Sequence, residues 1–145
     1  MGKVFETYSP EETLEIGRLL GENAGPGEVY ALIGDLGAGK TVFTKGFAQG
    51  LGIEEPVNSP TFTILQIYEE GRLPLYHFDV YRIGDIDEMY ELGYEEYFFG
   101  DGVCVIEWAD LIEELIPEDA LTIRITRGED EEARIYEITD NRQDA

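Results

Sequence analysis

The apolar positions of this chain change period several times, and each change predicts an element. Ser9-Pro10-Glu11-Glu12 puts a hydroxyl at an N-cap, proline at the first helical position and Glu at the third, which is a capping box. Leu14, Ile16, Leu19 and Leu20 supply the apolar positions that follow, so a helix is expected over 10–20. Gly25-Pro26-Gly27 breaks the chain, and Val29-Tyr30-Ala31-Leu32-Ile33 is the short apolar run that a buried strand requires. A glycine-rich turn comes next, then a helix with Phe43, Phe47 and Leu51 on one side, ending near Gly50-Leu51-Gly52. Residues 62–68 and 73–81 read as strands joined by the turn Glu69-Glu70-Gly71-Arg72. Short helices are expected over 86–92 and 94–98, a buried strand over 103–106, a helix over 109–116, and a last hairpin pairing 121–125 with 133–138. Strands alternating with helices around two apolar strands predict one α/β domain over 1–145. The expected architecture is a three-layer sandwich with a central, mainly parallel sheet and antiparallel edge hairpins.

Composition narrows the partners. The 10 Lys and Arg against 32 Asp and Glu leave a net charge of −22 over 145 residues, so the surface repels phosphate. Direct, sequence-independent binding to nucleic acid or to an anionic membrane is disfavoured, because such binding needs basic side chains to neutralise phosphates. Residues 85–119 carry 13 acidic side chains and no Lys or Arg, a stretch that a basic partner face could read or that simply stays solvated. The single cysteine, Cys104, lies in Val103-Cys104-Val105-Ile106; it excludes an internal disulfide and reads as a small buried hydrophobe. The first residues lack an apolar signal core, and no run approaches the length of a membrane helix, so a cytoplasmic protein is expected.

One motif carries chemistry on its own. Gly34-Asp35-Leu36-Gly37-Ala38-Gly39-Lys40-Thr41 matches G-x-x-x-x-G-K-[ST] at every fixed position, directly after an expected strand and opening into an expected helix. Glycines let successive N–H groups turn inward around an anion, and the helix N-terminus adds partial positive charge. Lys40 is placed to reach the terminal phosphates, and Thr41 offers a hydroxyl to Mg²⁺. The motif predicts a nucleoside triphosphate site on a P-loop NTPase-like fold.

Mg²⁺ in such a site needs a carboxylate at the end of a neighbouring strand. Two acids qualify: Asp79 after Leu75-Tyr76-His77-Phe78, and Glu107 after Val103-Cys104-Val105-Ile106. Spacing does not rank them, but the second run is more uniformly apolar, so Glu107 is assigned to bind Mg²⁺ and Asp79 becomes a second acid near the γ-phosphate. His77, the only histidine, should share a strand face with Asp79 and is read as packing beside the site instead of acting as a base. Ser59-Pro60-Thr61-Phe62-Thr63 occupies the place of a switch segment, and Trp108 stands at the strand end beside Glu107. No N-K-x-D guanine-reading sequence is present, which favours ATP. The alternative is a small-molecule P-loop kinase, although 85–119, where a lid would lie, holds no arginine. Tyr90, Tyr94, Tyr97, Phe98 and Phe99 suit either a docking surface of a nucleotide-dependent adaptor or packing on the sheet.

Taken together, the P-loop, Ser59-Pro60-Thr61-Phe62-Thr63, His77-Phe78-Asp79-Val80-Tyr81-Arg82, Glu91-Leu92-Gly93-Tyr94-Glu95-Glu96-Tyr97 and Val105-Ile106-Glu107-Trp108 closely resemble the TsaE (YjeE) ATPases of bacterial tRNA modification. Val42 departs from a second Thr frequent in that family, and Ala109 from a Pro; neither removes a group used above. The resemblance implies a weak, partner-stimulated, Mg²⁺-dependent ATPase. It would join TsaB and TsaD in forming N6-threonylcarbamoyladenosine on tRNAs that decode codons beginning with A. TsaD would perform the transfer, and the small ATPase would sustain repeated turnover. The resemblance further implies that Gly37, Ala38, Gly39, Lys40, Thr41 and Val42 cradle ATP, and that Thr41 and Glu107 hold Mg²⁺. Lys40, Asp79, Glu107 and Trp108 would support hydrolysis, while Pro10 and the hairpin near Glu132 would contribute to the base site. tRNA would be met only through the partners, no membrane is involved, and homodimerisation of the isolated chain is left open.

Overall fold

The computed structural model describes residues 2–34, 40–54, 57, 64–81, 83–129 and 133–140. Its centre is a seven-stranded sheet built from β1 (Gly2–Thr7), β2 (Val29–Gly34), β3 (Leu65–Tyr68), β4 (Leu75–Asp79), β5 (Val103–Glu107), β6 (Leu121–Arg127) and β7 (Arg134–Asp140). The spatial order is β1-β7-β6-β2-β5-β4-β3. β6, β2, β5 and β4 are parallel neighbours, while β3 on β4, and β7 and β1 beyond β6, pair antiparallel. The expected α/β class and mainly parallel centre therefore stand. One edge differs from expectation: the hairpin β6–β7 does not end the sheet, because β1 adds outside β7. Lys3-Val4-Phe5-Glu6 gave no strand signal, since Val4 and Phe5 are both exposed and the strand owes its existence to pairing with residues over a hundred positions away.

β5 is buried at every position because helices cover both of its faces, which is why it reads as an unbroken apolar run. On one face Tyr30, Leu32, Val103, Val105 and Ile123 pack against α2 (Lys40–Gly50), with α1 (Pro10–Asn23) beside it. On the other, Ala31, Phe78, Cys104 and Ile106 meet α3 (Asp87–Leu92), α4 (Tyr94–Phe98) and a 3₁₀ segment, Ala109–Leu115. That segment was expected to be an ordinary helix; it is tighter and breaks at Ile112, whose φ of −128° and ψ of 37° lie outside helical values.

α1 begins as its capping box predicts: Ser9 Oγ accepts from Glu12 N at 3.2 Å, and Glu12 Oε1 accepts from Tyr8 N at 2.8 Å. It runs past residue 20 to Asn23, where no further apolar position announces it. Its end is held from a distance, by Arg72 Nη2 donating to the carbonyls of Gly21, Glu22 and Ala24 at 2.7–2.9 Å. A cation on the C-terminal carbonyls also complements the helix dipole.

The two helices touch backbone to backbone. A Cβ on Gly46 would lie 2.1 Å from Leu14 O, and one on Gly50 2.2 Å from Arg18 O. From the other side, a Cβ on Gly17 would lie 2.4 Å from Phe43 O, and one on Gly21 2.2 Å from Phe47 O. Gly17 and Gly21 of α1 thus interlock with Gly46 and Gly50 of α2, four residues apart in each helix. Contacts advance together along both chains, so the helices run in the same direction. Pro10, at the start of α1, accordingly lies at the end of the molecule where α2 begins at Lys40.

Candidate functional site

The strands β2, β4 and β5 are parallel neighbours and all end on one edge, where α2 starts. Lys40, the first residue of α2, is buried, and its Nζ donates to Gly34 O at 2.7 Å. The same ammonium sits 3.9 Å from the centroid of the Trp108 ring, a cation–π contact. Thr41 follows one residue on, and its Oγ1 donates to Glu107 Oε1 at 3.2 Å. Gly37, Ala38, Gly39 and Glu132, together with Ser59-Pro60-Thr61-Phe62-Thr63 and Arg82, lie outside the described residues. Val42 is half-buried in the first turn of α2.

The two acids separate clearly. In-register pairing of β4 and β5 puts Asp79 opposite Glu107. Glu107 turns inward, 2% exposed, to Thr41. Asp79 is half-buried, and its Oδ1 accepts from Tyr81 N at 3.1 Å, an Asx turn that ends β4. The expected second acid is therefore one strand away from Glu107 and at the same level of the sheet.

His77 shares the α2-facing side of the sheet, as alternation requires. Its Nε2 is 2.5 Å from Glu107 Oε2 with both side chains buried. An ionised carboxylate only accepts, so Nε2 is the donor to it in that state. Thr44, also fully buried, donates to Lys40 O at 2.9 Å and lies 3.5 Å from Glu107 Oε2; with one hydroxyl proton, the shorter contact is its bond. Thr44 escaped the sequence reading, yet it carries a signal: a hydroxyl one helical turn after Lys40, flanked by Phe43 and aligned with the buried Phe47.

Trp108 is the only residue other than glycine with a positive φ, 64°, among those described. That left-handed backbone costs about 1–2 kcal/mol, and it turns the ring back over the strand end. There it meets Lys40 and the ring of Tyr81, whose centroid is 4.6 Å away.

The chemistry of this set suits Mg²⁺. Thr41 Oγ1 and Glu107 Oε1 are hard oxygen donors already side by side, and no cluster of three or more His, Cys, Asp or Glu able to hold a metal occurs among the described residues. Magnesium is ordinarily held by one or two protein oxygens with phosphate and water completing the shell, not by an all-protein cage. Elsewhere, burial pushes the Cys104 thiol far above its ordinary range, and its Sγ donates to Tyr97 O at 3.1 Å, the behaviour of a packed hydrophobe. The aromatic stretch divides: Phe98 and Tyr94 are buried, Tyr97 packs edge-on against Tyr76 and Phe78, and Tyr90 and Phe99 are exposed. No helix among the described residues is long and apolar enough to cross a membrane.

A seven-stranded sheet, parallel at its centre, with helices on both faces and a buried acid across from the first hydroxyl of α2, defines an α/β protein. The model of one family, Threonylcarbamoyl adenosine biosynthesis protein TsaE, matches residues 7–136, and the chain belongs to that family. It is 57% identical to a Bacillus subtilis protein named tRNA threonylcarbamoyladenosine biosynthesis protein TsaE over 131 residues, 90% of this chain and 82% of the relative. A Treponema pallidum protein of the same name is 45% identical over 81% of this chain and 86% of its own length. The crystal structure of YdiB from Bacillus subtilis superposes with a TM-score of 0.80 at 47% identity, covering 97% of this chain and 86% of that one.

Proposed function

We propose that this protein is a Mg²⁺-dependent ATPase that sustains repeated turnover of a TsaB–TsaD assembly making N6-threonylcarbamoyladenosine on tRNAs that decode codons beginning with A. The observation that carries the reading is the meeting of Thr41 Oγ1 and Glu107 Oε1 at 3.2 Å, beside Lys40, at the end of a strand followed by G-x-x-x-x-G-K-T. In this reading Gly37, Ala38, Gly39, Lys40, Thr41 and Val42 hold the phosphates, Thr41 and Glu107 hold Mg²⁺, and Asp79 and Trp108 flank the γ-phosphate. The metal supplies charge neutralisation across the phosphates. Pro10, at the end of α1 nearest the start of α2, and Glu132 serve the base. A net charge of −22 suits a protein that meets tRNA through its partners in the cytoplasm and not by itself. Its relatives are named for threonylcarbamoyladenosine biosynthesis, which supports the pathway.

The test is multiple-turnover modification of tRNA by TsaB and TsaD with ATP, adding this protein. Modification should continue past the first round with the wild type and stop there when the P-loop lysine is removed. Equal product with both forms removes the reading and brings the small-molecule kinase forward.

The acids are distinguished by mutation. Glu107→Ala should lower Mg²⁺-dependent hydrolysis by about 100-fold while ATP affinity in the absence of metal changes little. Hydrolysis that survives Glu107→Ala but is lost in Asp79→Ala reverses the two assignments.

A further inference from the structure

Glu107 is a buried carboxylate whose two oxygens face different partners. Oε1 receives the Thr41 hydroxyl at 3.2 Å, while Oε2 receives His77 Nε2 at 2.5 Å. Thr44 lies farther away at 3.5 Å and spends its proton on Lys40 O, so His77 is the principal anchor of Oε2. His77 is itself fully buried, and its Nδ1 has no hydrogen-bond partner among the described residues. An imidazole serving only to fill space would satisfy both nitrogens or give way to an apolar side chain, because a buried polar atom without a partner costs free energy. Here one nitrogen has no partner among the described residues and the other makes a short contact with the acid.

We propose that His77 is a positioning residue: by fixing Oε2 it locks the Glu107 side chain so that Oε1 stays aimed at Thr41, where a nucleotide-bound divalent cation would sit. The inference rests on the Mg²⁺-ATP reading above. Without the contact to His77, rotation about the terminal torsion of Glu107 would withdraw the oxygen from Thr41, since that torsion is broad. Partners of a ligating group typically matter by about 10- to 100-fold in metal affinity.

Gln and Asn at position 77 discriminate the mechanism. A glutamine amide nitrogen extends to about the place of Nε2, whereas that of asparagine stops near Nδ1. The full-length chain, saturated with a non-hydrolysable ATP analogue, is titrated with Mg²⁺, and binding is read from the fluorescence of Trp108, the only tryptophan. His77→Asn and His77→Leu should bind Mg²⁺ about 10- to 100-fold more weakly, with analogue affinity in the absence of metal unchanged. His77→Gln should stay close to the wild type. Should the leucine variant fail to fold, the Asn and Gln pair decides, as both keep a polar amide in the strand. Equal Mg²⁺ affinity in the Asn and Gln variants overturns the positioning role. A wild-type chain that binds the analogue with no response to Mg²⁺ instead overturns the reading beneath it, and the inference with it.

Discussion

Lys40→Ala should lower affinity for ATP by about 100-fold or more, on the order of 3 kcal/mol, the usual cost of removing a preorganised donor aimed at phosphate charge. The ammonium is held by Gly34 O at 2.7 Å and lies over the Trp108 ring. It is thus buried at the first residue of α2, where the proposed reading needs it. Stability should change little, because the cost of burying an ammonium disappears along with its bond. Calorimetric titration is the right measurement, since Trp108 touches Lys40 and its fluorescence would change on mutation alone. Near-wild-type affinity in Lys40→Ala would take Lys40 out of the site.

Gly46→Ala is expected to destabilise the fold by about 3 kcal/mol or more, lowering the thermal midpoint by roughly 10 °C. Alanine is the better helix former by about 1 kcal/mol, so local propensity predicts the opposite sign. The contact decides: the new methyl would sit 2.1 Å from Leu14 O, a backbone atom that cannot rotate away. Gly52 provides the control, with a φ of 86° and nothing within 4 Å of an added Cβ. There alanine should cost only the left-handed backbone, about 1–2 kcal/mol. Thermal unfolding of the two variants separates steric from conformational loss, and an unchanged midpoint for Gly46→Ala would mean that the helices stand farther apart than described.

Much of this arrangement was legible because its signals are local. The capping box at Ser9, the apolar runs of β2 and β5, and the glycine-rich turn signal ahead of α2 are each confined to a few residues. Glu107 could be preferred over Asp79 because a strand buried at every position sits at the centre of the sheet, next to β2. What stayed hidden depends on register between distant segments. Alternation put His77 on the correct face, but its bond to Glu107 exists only because β4 and β5 pair with Asp79 level with Glu107. β1 likewise has almost no pattern of its own and is a strand because β7 is there to receive it. The glycines of α1 and α2, taken one helix at a time, look like weaknesses; Arg72 looks like an ordinary turn residue until the end of α1 is seen beneath it.

The glycine seam also bears on how the chain reaches this state. Each interior glycine subtracts about 1 kcal/mol from the intrinsic preference of its helix relative to alanine, and short helices are marginal in water even with good formers. Neither α1 nor α2 therefore has much tendency to persist before it finds the other. Helix formation and helix docking become one event, closing a contact between segments some 30 residues apart, as Leu14 with Gly46 and Arg18 with Gly50. The start of α2, and with it the orientation of Lys40 and Thr41, is then set in the same cooperative step that completes this layer of the core.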